Sequence, residues 1–133
     1  MLLVDTNVLL DVVEDDPDWA TWSISQLRAQ SQVHELLINP PIYAELSLVF
    51  RSVQSLDAAI DEMGFSFLEL PRPALLLAGR AFLKYRHAGG LRSNVLGDFL
   101  VGAHAAVLGC GVLTRDAGRY RTYFPTVPVI APG

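Results

Sequence analysis

The chain begins with an uninterrupted apolar run, Leu2-Leu3-Val4, that stops at the polar cluster Asp5-Thr6-Asn7. A short apolar run bounded by polar residues predicts a strand buried on both faces of a parallel sheet. Val8 to Val13 then predicts a short helix. Asp16-Pro17 reads as an N-cap followed by proline at the first helical position, opening a helix to about Gln32. Trp19, Trp22 and Leu27 give that helix an apolar side, and the two tryptophans read as core packing. Glu35 to Asn39 predicts a second strand. Pro40-Pro41 opens a helix through Phe50, Ser55 to Met63 forms another closed by Gly64, and Phe65 to Leu70 predicts a third strand.

Pro73 opens a long helix to about His87, ended by Gly89-Gly90. Ser93 or Asn94 caps the next helix, Val95 to Leu108, which Gly109-Cys110-Gly111 terminates. Val112-Leu113 is the fourth strand. A helix containing Arg119 and Tyr120 follows, then Val127 to Ile130 as the fifth strand. Strands alternating with helices predict an α/β fold, a three-layer sandwich with a mainly parallel five-stranded sheet and right-handed crossovers. Neither a repeat nor a linker divides the 133 residues, so a single domain over 1–133 is expected.

Composition sharpens this picture. Hydrophobic residues make up 51% of the chain, enough for a core with apolar surface left for a partner or a second copy. No apolar run reaches the roughly 18 residues of a membrane span, and no basic segment leads into a cleavable apolar one. Cys110 is the only cysteine, which excludes an internal disulfide and a cysteine-based zinc site. A reducing, cytoplasmic setting is expected. The net charge of −4 conceals an asymmetry: residues 1–70 carry 12 acidic and 2 basic side chains, and the remainder carries 2 and 8. A localised basic surface is therefore expected despite the acidic total.

Four carboxylates stand out. Asp5 and Asp116 fall at the ends of the first and fourth strands, where ligands bind in open α/β sheets. Asp5 is equally suited to cap the helix that follows it. Glu45 and Asp98 stand alone on otherwise apolar helices, where an unpaired charge is costly. Asp98 lies in the first turn of its helix, where the dipole favours an anion. Neither has a lysine or arginine within four residues. Either distant arginines pair with these acids, or all four meet around a cation. Oxygen-only ligands suit Mg²⁺ or Mn²⁺ rather than zinc or copper, and such a site fits metal-assisted phosphodiester hydrolysis.

Val4-Asp5-Thr6-Asn7, Tyr43-Ala44-Glu45-Leu46, Gly97-Asp98-Phe99 and Leu113-Thr114-Arg115-Asp116, with Tyr120, Phe124-Pro125 and Val129-Ile130, occur in the order and context found in PIN domains. The chain resembles that family from Leu2 to about Ile130, in particular the single-domain VapC-type ribonuclease toxins of toxin–antitoxin pairs. The resemblance implies a PIN-like fold and an acidic catalytic and metal site of Asp5, Glu45, Asp98 and Asp116. It also implies that Asn7 and Thr114 orient the acids or a water. The implied activity is endonucleolytic cleavage of RNA with Mg²⁺ or Mn²⁺, the implied partners a cognate antitoxin and a second copy in a homodimer. A catalytically silent RNA- or protein-binding module, or a PIN nuclease of RNA processing without an antitoxin, is the alternative.

Arg80, Lys84, Arg86, Arg92 and Arg115 are the candidate RNA contacts, with Arg80, Lys84 and His87 sharing one helix face. Asp11, one turn past Asn7, reads as solvated or capping, with a supporting role behind the site as the lesser alternative. His34, His87 and His104 share no metal-ligand spacing, and His104 on an apolar helix reads as a core or interface histidine. The glycines match no phosphate-binding fingerprint.

Overall fold

Five strands form one sheet in the order β3-β2-β1-β4-β5, all parallel. The structure, a computed structural model, describes residues 1–92 and 95–133. The cap expected from Ser93 or Asn94 therefore lies outside the described residues. In chain order the elements are β1 (Leu2–Val4), α1 (Thr6–Val13), α2 (Ala20–Ser31), β2 (Leu36–Ile38), α3 (Pro40–Leu46) and α4 (Val53–Met63). Then come β3 (Ser66–Phe67), α5 (Arg72–His87), α6 (Leu96–Leu108), β4 (Gly111–Leu113), α7 (Gly118–Tyr123) and β5 (Val129–Ile130).

The three inner strands are apolar throughout because they are covered on both faces. Leu3, Val4, Leu37, Ile38, Val112 and Leu113 are all fully buried. Connections between β1 and β3 run toward one edge of the sheet, and those from β3 to β5 run toward the other. With right-handed crossovers, α1 to α4 fall on one face and α5 to α7 on the opposite face. Three layers result. The direction of travel reverses between β1 and β4, so their carboxyl ends flank the topological switch point, where such sheets bind ligands.

Differences from the expected boundaries have local causes. α1 starts at Thr6 because Asp5 is its N-cap, its carboxylate accepting from the Thr6 N–H at 2.8 Å. α2 begins only at Ala20, since Asp16 Oδ1 instead accepts from the Asp18 and Trp19 N–H groups and holds a turn. α3 ends at Leu46 rather than Phe50; the Ser47 hydroxyl donates back to the Ala44 carbonyl and Leu48 projects into solvent. α4 starts early at Val53 through a Ser52–Ser55 capping box and ends on Gly64 in the left-handed conformation. The edge strands β3 and β5 are shorter than expected, as each has a neighbour on one side only and Pro71 and Pro128 supply no N–H.

Two contacts set α6 against the rest. His104 is buried and its Nδ1 lies 3.1 Å from Asn39 Nδ2, while Asn39 Oδ1 accepts from the Ile42 N–H as the cap of α3. Burial lowers the His104 pKa, consistent with a neutral ring that accepts from the amide. This polar pair ties the start of α3 to α6, so the expected core histidine is also a spacer between two site-bearing helices. On α6, Gly102 lies flat against the buried Phe124 ring, where any side chain would collide. The Gly102→Val variant should therefore lose about 1–3 kcal/mol of stability. A denaturant curve with a lowered midpoint and unchanged slope checks this.

Candidate metal and nuclease site

The parallel register of β1 and β4 pairs Val4 with Leu113, so the next residues, Asp5 and Thr114, emerge side by side. The Asp5 N–H extends the ladder to the Leu113 carbonyl at 2.9 Å. Asp5 is buried, and its two oxygens are used unequally. Oδ1 accepts from the Thr6 N–H, whereas Oδ2 accepts from the Thr114 hydroxyl at 2.9 Å and the Tyr120 hydroxyl at 2.8 Å. With both Oδ2 lone pairs occupied, Oδ1 is the oxygen left able to serve a ligand.

The 114–116 loop is held from α1. Asn7 Nδ2 donates to Thr114 Oγ1 at 3.2 Å, and Asn7 Oδ1 accepts from the Arg115 N–H at 3.1 Å. The Asp116 N–H donates to Thr114 Oγ1, which orients the exposed Asp116 side chain at the sheet edge. Asn7 and Thr114 thus brace the loop and Asp5 together.

Helices bring the other two acids. The Thr6 hydroxyl donates to Glu45 Oε1 at 3.2 Å, and Gly97 at the start of α6 sits so close that a Cβ there would lie 3.3 Å from the same oxygen. Asp98 follows immediately, in the first turn of α6. The two acids expected on apolar helices differ in exposure. Asp98 is largely sheltered, and Arg119, 21 residues on, supplies its ion pair. Glu45 is solvent-exposed, because α3 ends one residue later and turns its last face outward.

Electrostatics couple these groups. Burial first, and then the Asp98 charge, push the Asp5 carboxyl up to about 6, against the lowering effect of its three donors. Glu45 and Asp98 are also raised, chiefly by partial burial of the carboxyl group, which holds on Glu45 although the residue as a whole is exposed; Thr6 opposes the shift on Glu45 and Arg119 that on Asp98. Asp116 raises Asp98 further, and Arg92 lowers it. Burial and then Asp5 hold the Tyr120 hydroxyl in its protonated, donating form. Four like charges therefore converge from four elements. Their chemistry is that of hard oxygen donors, which fits Mg²⁺ or Mn²⁺ in kind. Among the described residues, however, no three metal-ligating side chains are gathered closely enough to grip an ion as they stand. Asp98 is turned to Arg119 instead.

The basic candidates separate. Arg80, Lys84 and Arg86 are exposed on α5, away from any pairing with the four acids among the described residues. Arg92 is exposed near Asp98, its N–H donating to the Tyr85 hydroxyl at 3.2 Å. Arg115 has a different partner. Its Nε donates to Asp11 Oδ2 at 2.7 Å and its guanidinium lies 5.1 Å from the Trp19 ring centroid.

This corrects the reading of Asp11 as solvated or capping. Asp11 is only 2% exposed and also accepts from the Ser23 hydroxyl at 2.7 Å, because α2 packs over that face of α1. It corrects Trp19 as well, which is half-buried and shelves Arg115 rather than filling the core. Tyr120, Thr6 and Arg119 were not singled out as site residues. The available signal was their position: Thr6 adjoins Asp5, and a six-residue helix starting two residues after Asp116 must fold back over the same edge.

A family model described as PIN domain matches residues 2–125. No curated protein matches the sequence significantly. In fold the chain is similar to one in the structure of VapBC2 from Rickettsia felis bound to a DNA fragment from their promoter, at 14% identity over 99% of this chain and 98% of that one, TM-score 0.75. It is similar to a chain of a toxin-antitoxin complex from Klebsiella pneumoniae, at 16% identity over 100% and 98%, TM-score 0.72. A third similar structure is FitAcB from Neisseria gonorrhoeae, at 19% identity over 99% and 98%, TM-score 0.69. At these identities the likeness is one of fold.

The raised Asp5 pKa carries a stability consequence. The folded protein holds this proton more tightly than the unfolded chain, whose value is near 3.8. The contribution is therefore complete below about pH 4 and is lost as pH rises through about 6. The Asp5→Asn variant should be more stable than the parent at neutral pH by about 2–3 kcal/mol, and the advantage should vanish toward pH 4. Thermal unfolding of both proteins, free of metal, between pH 4 and 8 checks this; equal melting temperatures throughout contradict it.

Proposed function

The chain belongs to the PIN domain family, and from that premise we propose that it is a divalent-metal-dependent endoribonuclease, the toxin of a toxin–antitoxin pair. The reading is supported by the placement of Asp5, Glu45 and Asp116 within reach of the Asp98 charge or of its neighbours near the switch point, with Asp5, Glu45 and Asp98 raised in pKa chiefly by burial and Asp98 paired with Arg119. So much negative charge facing a polyanionic substrate is productive only with a cation between them. The four acids would hold Mg²⁺ or Mn²⁺, which supplies the Lewis acidity that makes water a nucleophile and offsets charge on the phosphate and leaving oxygen.

The chain's own groups do the positioning. Thr6, Thr114 and Tyr120 lock the Asp5 carboxylate in one orientation, and the Asn7–Thr114–Arg115 hydrogen bonds fix the loop that presents Asp116. Asp116, exposed and anchored through its backbone, or Asp5 acting through water, would take the proton from water attacking in line. Arg80, Lys84, Arg86 and Arg92 supply phosphate contacts that give affinity and salt dependence rather than sequence choice. Arg115 serves mainly as the partner of Asp11, with part of its guanidinium open to a phosphate.

Exposed apolar residues support protein partners. Leu75, Leu76 and Leu83 on α5, Leu48 after α3 and Val53 at the start of α4 remain in solvent, consistent with a second copy and a cognate antitoxin. The neighbours from Rickettsia felis and Klebsiella pneumoniae support the antitoxin in particular. No helix of the described residues is long and apolar enough to cross a membrane. One observation favours the silent binding module instead, namely that Asp98 is already neutralised by Arg119.

Cleavage of a mixed RNA pool by the purified protein, with Mg²⁺, with Mn²⁺ and with chelator, decides between these readings. Metal-dependent cleavage is expected, with a loss of several orders of magnitude in Asp5→Asn and little further loss when Glu45→Gln is added, because the acids act as one site. RNA binding without cleavage under every metal condition would sink the nuclease and leave the binding module.

A further inference from the structure

α7 delivers two successive side chains onto two of the four acids. Tyr120 donates to Asp5, and Arg119 beside it pairs through Nη1 with Asp98 Oδ2. The two contacts differ in kind. Tyr120 is fully buried and makes a neutral-donor hydrogen bond that leaves Asp5 its charge. Arg119 is partly exposed, with 19% of its side chain in solvent, and its Asp98 partner is 34% exposed. Its guanidinium lies 5.6 Å from the Tyr85 ring centroid. Tyr85 is itself fixed by Phe82, Phe99 and Tyr123. A planar cation resting on an aromatic shelf can slide between partners without losing its seat. Arg119 also has several N–H donors beyond the one used on Asp98.

We propose that Arg119 is an exchangeable counter-ion: it neutralises Asp98 in the metal-free protein, yields that carboxylate to the divalent cation, and passes to a phosphate of the RNA strand. This rests on the nuclease reading above and deepens it. Three observations carry it. Among the described residues Arg119 is the one cation paired with any of the four acids. Among the described residues no three ligating side chains are gathered around one point, and Asp98 is turned to Arg119. The Arg119 guanidinium lies over the Tyr85 ring, whose hydroxyl accepts from the Arg92 N–H, so a second cationic residue stands beside it at the acidic edge. A planar guanidinium there has the fork geometry that phosphate accepts.

The test compares the parent with Arg119→Gln and Arg119→Lys. Calorimetric titration with Mn²⁺ should show the glutamine variant binding the ion roughly five- to tenfold more tightly, since Asp98 is no longer occupied. For RNA cleavage its KM should rise several-fold, and the salt dependence of KM should flatten by about 0.7 in the log–log slope, one phosphate contact on a single strand. The lysine variant keeps the charge but loses the fork and the stacking. It should bind Mn²⁺ more tightly than the parent by a smaller factor while retaining the salt slope, and it carries the test if the glutamine protein does not fold. Mn²⁺ affinity equal to or below the parent's in the folded variants overturns the proposal, as does an unchanged salt slope in Arg119→Gln. Absence of both Mn²⁺ binding and cleavage in the parent overturns the nuclease reading itself, and the exchange with it; parent activity with failed variant predictions overturns the exchange alone.

Discussion

Like-charge repulsion at the carboxyl ends of β1 and β4 is the constraint around which this molecule is built. The parallel register brings Asp5 and the Thr114–Asp116 loop out together, and two helices add Glu45 and Asp98. Such a group carries an electrostatic cost. It is held by donors aimed at individual oxygens: a backbone N–H and two hydroxyls on Asp5, a hydroxyl on Glu45, a guanidinium on Asp98. On Asp5 these donors oppose burial and then the Asp98 charge without cancelling them, so its carboxyl stays raised. Strain retained at one edge and supported from behind is the arrangement expected of a functional site.

The support comes from two polar networks, a part-buried one around Asp11 and a buried one around His104. Asp11, Ser23, Arg115 and Asn7 lock α1, α2 and the 114–116 loop to one another. Asn39 and His104 lock the start of α3 to α6. Neither network includes the four acids, yet together they fix the elements from which all four project. The close seat of Phe124 on Gly102 does the same for the end of α7, and so for Tyr120 and Arg119. Orientation at the site is thus determined by packing that lies one residue further out.

Much of this was legible in the sequence, for identifiable reasons. Fully buried strands such as Leu2–Val4 and Gly111–Leu113 advertise themselves as short apolar runs closed by polar residues, and Pro73 and Gly109 mark helix ends through backbone chemistry alone. Strand alternation then implies a parallel sheet, and a parallel sheet implies where Asp5 and Asp116 must emerge. What was not legible depends on partners far away in sequence. Asp11 looks like any surface acid until Ser23 and Arg115 are brought to it, 12 and 104 residues away. Arg119 reads as one more surface cation on a short helix until α7 folds over Asp98. Glu45 was expected in apolar surroundings because the run to Phe50 looks helical, but the chain leaves the helix at Ser47 and that face opens to water.

The central claim is that Asp5, Glu45, Asp98 and Asp116 form one cation site that closes when the ion enters. Anomalous scattering from Mn²⁺-soaked crystals tests it most directly, because it locates the ion without reference to activity. The expected result is a peak at the carboxyl ends of β1 and β4, touching Asp5 Oδ1 and Asp98, with Arg119 withdrawn from that carboxylate. A peak elsewhere, or well-ordered crystals with no ion at this edge at millimolar Mn²⁺, would contradict it.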